Sequence, residues 1–271
     1  MNMLRRTWFT GLLAAVTLLA GCAVTPPPAS PPTPQARAAL APDGKLRVGV
    51  YSGSPTSMVT DKNGKLTGVA YELGRELARW LNVPLELVEY KRIAEVLEAM
   101  KNGEVDFTFT NATEARARDM NFTLPLVSLE LGYLVPAGSP LQSASEIDRV
   151  GIKVGVSQGS TSQGVLTRTY KQAQVVPVPT LKAASEQLAA RKFDAFATNK
   201  GILYEMADGL PGARVLDGRW GLENLAIAIP KGREAGLSYL SSFALTVRRD
   251  GTLQSAIDRA GLRGTAEPAM R

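Results

Sequence analysis

A chain of 271 residues has the length for one large domain or two modest lobes, and 45% apolar with 21% charged residues is the composition of a soluble globular fold. The formal charge of +6 comes from scattered Lys and Arg without a basic run, and aromatics are only 6%, which argues against a nucleic-acid surface. Histidine is absent and the single cysteine is Cys22, so His–Cys metal clusters and Ser–His or Cys–His catalytic pairs are excluded, and no metal or cofactor is expected.

Residues 1–21 read as an export signal. Arg5 and Arg6 give a positive start, Trp8 to Leu19 an apolar stretch too short for a comfortable membrane span, and Ala20-Gly21 the small residues before a cut. Leu19-Ala20-Gly21-Cys22 resembles the lipobox of bacterial lipoproteins, which implies lipidation of Cys22 and a membrane anchor at that residue. Residues 22–42, with Pro26, Pro27, Pro28, Pro31, Pro32 and Pro34, have the composition of an extended, semi-rigid tether unable to pack a core.

From Lys45 the pattern changes. Leu46 to Val50 is a buried strand emptying into the polar loop Tyr51 to Ser57; Leu73, Leu77, Trp80 and Leu81 recur at helical spacing, and Leu85 to Tyr90 alternates as a strand. Ile93, Val96, Leu97 and Met100 mark a second helix before a strand from Val105. Strand–helix–strand–helix–strand predicts an α/β fold with parallel strands, whose ligands bind beyond the carboxyl ends. Leu129 to Val135 is a further strand. Ile152 to Val156 then echoes Leu46 to Val50 and empties into Ser157 to Ser162, a hint of two similar lobes. Strands around Val175–Val178, Phe193–Thr198 and Leu225–Ile229, a helix with Leu181, Ala184 and Leu188, and two terminal helices complete the pattern.

The stretch from Asp106 to Pro125 organises the rest. A strand spills into Thr110, Asn111 and Thr113, short polar side chains suited to capping a helical turn, and Arg116 follows with a fork of donors that fits a carboxylate. A solvated arginine on a capped turn is the competing reading. Gly159-Ser160-Thr161 introduces a helix in the second half, whose free N–H groups and dipole favour an anion.

These stretches, with Gly64 to Gly68, Leu97 to Asp106, Thr113 to Arg116, Phe122 to Pro125, Val154 to Thr161 and Phe193 to Ala195, resemble in order and spacing the type II periplasmic solute-binding proteins of ABC importers, in the branch known for polar amino acids. The resemblance implies two lobes closing about a two-stranded hinge: lobe 1 over 43–136 and 226–265, lobe 2 over 137–225, hinge crossings near Leu134–Ala137 and Ala226–Ile229, and a frayed tail at 266–271. It implies that Arg116 clamps a ligand carboxylate and that Thr161 donates from the opposite lobe, with Thr110, Asn111, Ser160, Asn199, Tyr51 and Ser54 around them. Lys91, Arg92 and Lys200 are further candidates.

The departures from the family pattern bear on the ligand. The acidic residue that holds an ammonium group aligns with Asn199, and the flanking aromatics align with Ser54 and Ala94. The carboxylate half of an amino-acid site is kept and the ammonium half is missing, which favours an anionic or neutral-polar solute over an ordinary zwitterion. The expected protein is a monomeric, lipid-anchored periplasmic receptor that delivers a small solute to ABC permease subunits, without enzymatic activity. A dehydratase-like enzyme on the same scaffold and a ligand sensor for a signalling partner are the alternatives.

Overall fold

The computed structural model describes residues 31–61 and 63–266. The export signal, Cys22 and residues 267–271 of the tail lie outside the described residues. The first described element departs from the expected tether. Pro34–Leu40 forms helix α1, capped by Thr33, whose hydroxyl accepts the Ala36 N–H at 3.1 Å, with Ala36 and Leu40 buried. Proline is tolerated at the helix start, where its missing N–H has no partner to lose. The Ala-rich run behind it is a good helix former, and docking Leu40 against Gly236 buries it.

Strand β1 (Leu46–Tyr51) leads through the short hairpin β2 (Val59–Thr60) and β3 (Leu66–Thr67) into α2 (Val69–Leu81), β4 (Leu85–Tyr90) and α3 (Ile93–Lys101). β1 pairs with β4 in parallel, and Val48 bridges to Phe107 in parallel at the entry to β5 (Thr108–Asn111). The apolar stripe of α2, Leu73, Leu77 and Leu81, closes on Leu46, Val48, Val50 and Phe107 as the lobe 1 core. A 3-10 turn at Arg116–Arg118, β6 (Met120–Phe122) and the long β7 (Val127–Val135) follow.

Lobe 2 repeats the scheme with β8 (Lys153–Ser157), α4 (Thr161–Thr169), β9 (Gln174–Val178), α5 (Leu181–Ala189), β10 (Ala195–Asn199) and α6 (Lys200–Asp208). β8 is flanked in parallel by β9 and β10. The side chains of β7 alternate between two cores: Tyr133 and Val135 join Val154, Val156 and Leu166, while Leu134 joins Leu188, Phe193 and Phe196. The short β11 (Arg214–Val215) and the long β12 (Gly221–Pro230) precede α7 (Leu237–Arg249), α8 (Thr252–Arg259) and β13 (Thr265–Ala266). β13 pairs with β7, so Thr265 and Ala266 are held in the sheet.

β7 and β12 join the lobes. They pair antiparallel from Gly221↔Leu131 to Leu225↔Val127. Beyond that shared stretch β12 pairs with β5 and β6 of lobe 1, and β7 pairs with β10 of lobe 2. The two strands share the stretch 127–131 with 221–225, whereas the expected crossings lie near Leu134–Ala137 and Ala226–Ile229. Periodicity marks a strand without showing which half pairs with which sheet.

Candidate ligand-binding cleft

The carboxyl ends of β1, β4 and β5 in lobe 1 and the starts of α4, α5 and α6 in lobe 2 converge on a cavity of about 40 Å³. That is room for about three waters in this arrangement. The same Arg116, Ser160 and Thr161 also line a wider neighbouring hollow of about 450 Å³. The lobes meet around the cavity: Asn111 Nδ2 donates to Thr161 Oγ1 at 3.4 Å, and Gly159 lies so near Ala94 that a Cβ on it would sit 2.5 Å from the Ala94 Cβ. The structure is a closed form. An aromatic side chain at position 94 would meet the Gly159 loop in this arrangement.

Arg116 sits where the residues around it dictate. Thr113 Oγ1 accepts the Arg116 N–H at 3.2 Å and fixes the 3-10 turn. The guanidinium Nη1 donates to Thr110 Oγ1 at 2.7 Å and to the Asn111 carbonyl at 3.2 Å, so one edge of the fork is held and the rest is left for a ligand. Asn111 itself is pinned, its Oδ1 accepting the Asn224 N–H at 2.9 Å. Thr108, one turn of the pleat away, serves the fold and donates to the Gly49 carbonyl. Opposite, Ser160 caps α4 by accepting the Gln163 N–H at 3.1 Å.

The residue that the sequence reading missed is Glu223. It is 9% exposed, lines the cavity from β12, and accepts a hydrogen bond from Asn199 Nδ2 at 3.1 Å. The geometry follows from register. Glu223 pairs with Leu129 and Asn199 with Leu131, two residues apart on β7, so both project from one face of the sheet across that strand. Asn199 also caps α6, its Oδ1 accepting the Ile202 N–H at 3.1 Å. A carboxyl group thus stands on β12 beside Asn199, where the family pattern has its acidic residue, and Asn199 holds it. The expectation that no acidic side chain lines the cleft is corrected by Glu223. In the folded strand Glu223 stands in phase with the buried Leu225 and Ile227, whereas Leu222 and Asn224 are exposed.

Burial lowers the pKa of Arg116 and raises that of Glu223; in each case the other's charge works against the shift. Their hydrogen bonds go to Thr110, Asn111 and Asn199, and no ion pair joins them among the described residues. Tyr51 lines the cavity between them, and burial raises its phenol pKa.

Of the remaining candidates, Thr110, Asn111, Ser160, Thr161, Lys91 and Arg92 line the cavity. Ser54 does not; it is fully buried behind Tyr51, accepting the phenol at 3.3 Å and bonding Thr56 Oγ1 at 2.8 Å. Thr56 takes the place at the wall expected for Ser54. Lys200 turns away to pair with Glu130 at 2.7 Å, beside Gly132 and Gly264. No cluster of three metal-ligating side chains occurs among the described residues, and no described helix is long and apolar enough to cross a membrane.

This closed two-lobed cleft is the architecture of a periplasmic-type solute receptor, and residues 46–261 match the model of bacterial extracellular solute-binding proteins, family 3; the chain belongs to that family. It is similar to the glutamine-binding protein of Geobacillus stearothermophilus, 26% identical over 69% of this chain and 73% of that one. A membrane-bound lytic murein transglycosylase F of Shewanella oneidensis is 30% identical over 60% of this chain, but the match spans only 33% of that protein. Among solved structures, the solute receptor for L-cysteine of Neisseria gonorrhoeae superposes with a TM-score of 0.74 over 83% of this chain and 92% of its own, at 24% identity. An ancestral arginine-binding protein bound to arginine gives 0.71 over 80% and 97%, at 25% identity.

Proposed function

We propose that this protein captures a free α-amino acid in the interlobe cavity and presents it to an ABC permease, held at the membrane by lipidated Cys22. The observation that carries the reading is the unbonded pair of opposite charges in one cavity. Arg116 offers a guanidinium to an α-carboxylate, and Glu223, steadied by Asn199, offers a carboxylate to an α-ammonium. A zwitterion pairs both charges at once, whereas an amine-free anion leaves Glu223 unpaired. Thr161 and the first N–H groups of α4 complete the grip from lobe 2, so ligand favours the closed form over a parted one. The amino-acid receptors among its relatives agree with this reading. A single carboxylate lines the cavity, which suits capture better than the paired carboxylates of glycoside cleavage.

The test is a thermal-shift and calorimetric screen of amino acids against dicarboxylates without an amine and amines without a carboxylate. Only the zwitterions should raise the melting temperature, by several degrees at saturating ligand. Equal shifts from amine-free acids would remove Glu223 from the site. Exchange of Cys22→Ser should move the protein from the membrane to the soluble periplasmic fraction, and an unchanged distribution would refute the anchor.

A further inference from the structure

The cavity carries more positive charge than an α-carboxylate and an α-ammonium can use. Its lining holds three cationic side chains, Lys91, Arg92 and Arg116, against the single carboxylate of Glu223. Lys91 and Arg92 follow β4, at the mouth where that strand delivers the chain into α3. Arg92 shares Glu95 with its own helix at 3.1 Å, yet its Nε is buried without a hydrogen-bond partner. Glu95 is engaged at this corner, since it also accepts the Lys91 N–H at 3.1 Å. Glu89, on β4, is held by the Ser52 hydroxyl. Lys91 makes no ion pair among the described residues.

Backbone adds to the excess. All three long helices of lobe 2 begin at this cavity: α4 behind Ser160, α5 behind Thr180 and α6 behind Asn199, each capped by its own side chain. Each start carries about half a positive charge from its aligned peptides, and Pro179, Thr180 and Leu181 bring one of them to the cavity wall. Arg116 and Glu223 together neutralise a zwitterion and are neutralised by it. What is left over is Lys91, Arg92 less its share of Glu95, and three helix starts.

We infer that the ligand carries a second anionic group, and that this receptor is selective for acidic α-amino acids of the aspartate or glutamate kind. The side-chain carboxylate is received by Arg92 and Lys91. The inference rests on the zwitterion reading of Arg116 and Glu223, and adds the class of side chain. It also fits the sign of the charge at the site: a ligand of net charge −1 offsets part of what the lining leaves over, a neutral amide such as glutamine offsets none of it, and a basic side chain adds to the repulsion.

The experiment is titration calorimetry of the folded, lipid-free protein with L-glutamate, L-glutamine and L-arginine, repeated on the double variant Lys91→Gln, Arg92→Gln and on Arg116→Ala. L-Glutamate should bind about tenfold more tightly than L-glutamine, about 1.4 kcal/mol, with L-arginine weakest. In the double variant the glutamate-to-glutamine ratio should collapse toward unity, and circular dichroism reports whether that variant is folded. If glutamine or arginine binds as tightly as glutamate in the unaltered protein and Arg116→Ala abolishes it, the acidic class is overturned while the amino-acid receptor stands. If the preference for glutamate survives in the folded double variant, Lys91 and Arg92 are not its source and the assignment falls. If no α-amino acid binds, the receptor reading fails and takes this inference with it.

Discussion

Two of the arginine–carboxylate groupings among the described residues are built in opposite ways. Asp106, fully buried at the entry to β5, accepts from the Arg47 backbone N–H and Nε at 2.9 Å, from Arg47 Nη2 at 2.7 Å, and from Arg233 Nη1. That carboxylate is saturated, and it stitches β1, β5 and the turn before α7 into lobe 1. Glu223 and Arg116 share one cavity, yet each bonds only to neutral neighbours and neither to the other. A carboxylate whose partners are all internal belongs to the fold. A pair of opposite charges kept apart across a void is held ready for something that enters it.

The sharpest way to break this contrast is to remove one charge from each grouping. Asp106→Ala strands two inward-facing guanidinium groups and should cost about 3–5 kcal/mol of stability, read as a large fall in the denaturant midpoint. A midpoint close to that of the parent would show that Asp106 is not the keystone of lobe 1. Arg116→Ala should do the reverse. Binding falls by about a hundredfold or more, the range for truncating one partner of a buried charge contact, while the ligand-free protein melts almost where it did before. If stability collapses as well, Arg116 belongs with Asp106 among the fold-holding charges.

Next in size is Glu223→Gln, which keeps shape and removes charge. Affinity for a zwitterion should fall by about tenfold, since the amide can accept from the ammonium but cannot neutralise it. The pH dependence gives a second reading. Burial raises the pKa of Glu223, so in the ligand-free protein the group takes up its proton at a higher pH than in the unfolded chain. Between the unfolded and the raised value the native state binds more protons, and stability contributed by this site falls as pH rises through that window. Ligand ammonium favours the ionised form, so affinity should weaken as pH falls through the same window. Glu223→Gln should flatten that dependence, and an identical pH profile in the variant would take Glu223 out of ligand binding.

How far these features could be read from sequence follows the range of the interactions involved. β1, α2, β4 and α3 were legible because periodicity is local, and so was Arg116, whose capping Thr113 and supporting Thr110 lie within six residues of it. Glu223 was not legible as a site residue, because its meaning depends on strand register: β7 brings it beside Asn199, which is 24 positions away in the chain. Ser54 and Lys200 failed for a related reason. Both stand at the right point in the chain, but packing behind Tyr51 and pairing with Glu130 decide where their polar atoms go. The helix at Pro34–Leu40 was hidden by composition, since the prolines of the run before it dominated a short stretch of helix formers.

The smallest effect tests whether closure itself belongs to the site. Gly159 adopts φ +73, and a Cβ there would overlap that of Ala94 across the lobe boundary in the closed form. Gly159→Ala carries two penalties: left-handed backbone strain of about 1 kcal/mol, and a clash that a parted form would escape. Gly218 has φ +76 with no atom within 4 Å of a Cβ, so Gly218→Ala imposes the strain without the clash. Both variants should lose similar, modest stability as ligand-free proteins. Only Gly159→Ala should lose affinity, by several-fold, because the clash penalises the one conformation in which Thr161 faces Asn111. Equal affinities in the two variants would mean that the cavity binds its ligand without requiring the Gly159–Ala94 contact, and Arg116 on its 3-10 turn and Glu223 on β12 would then carry recognition without the lobe 2 loop.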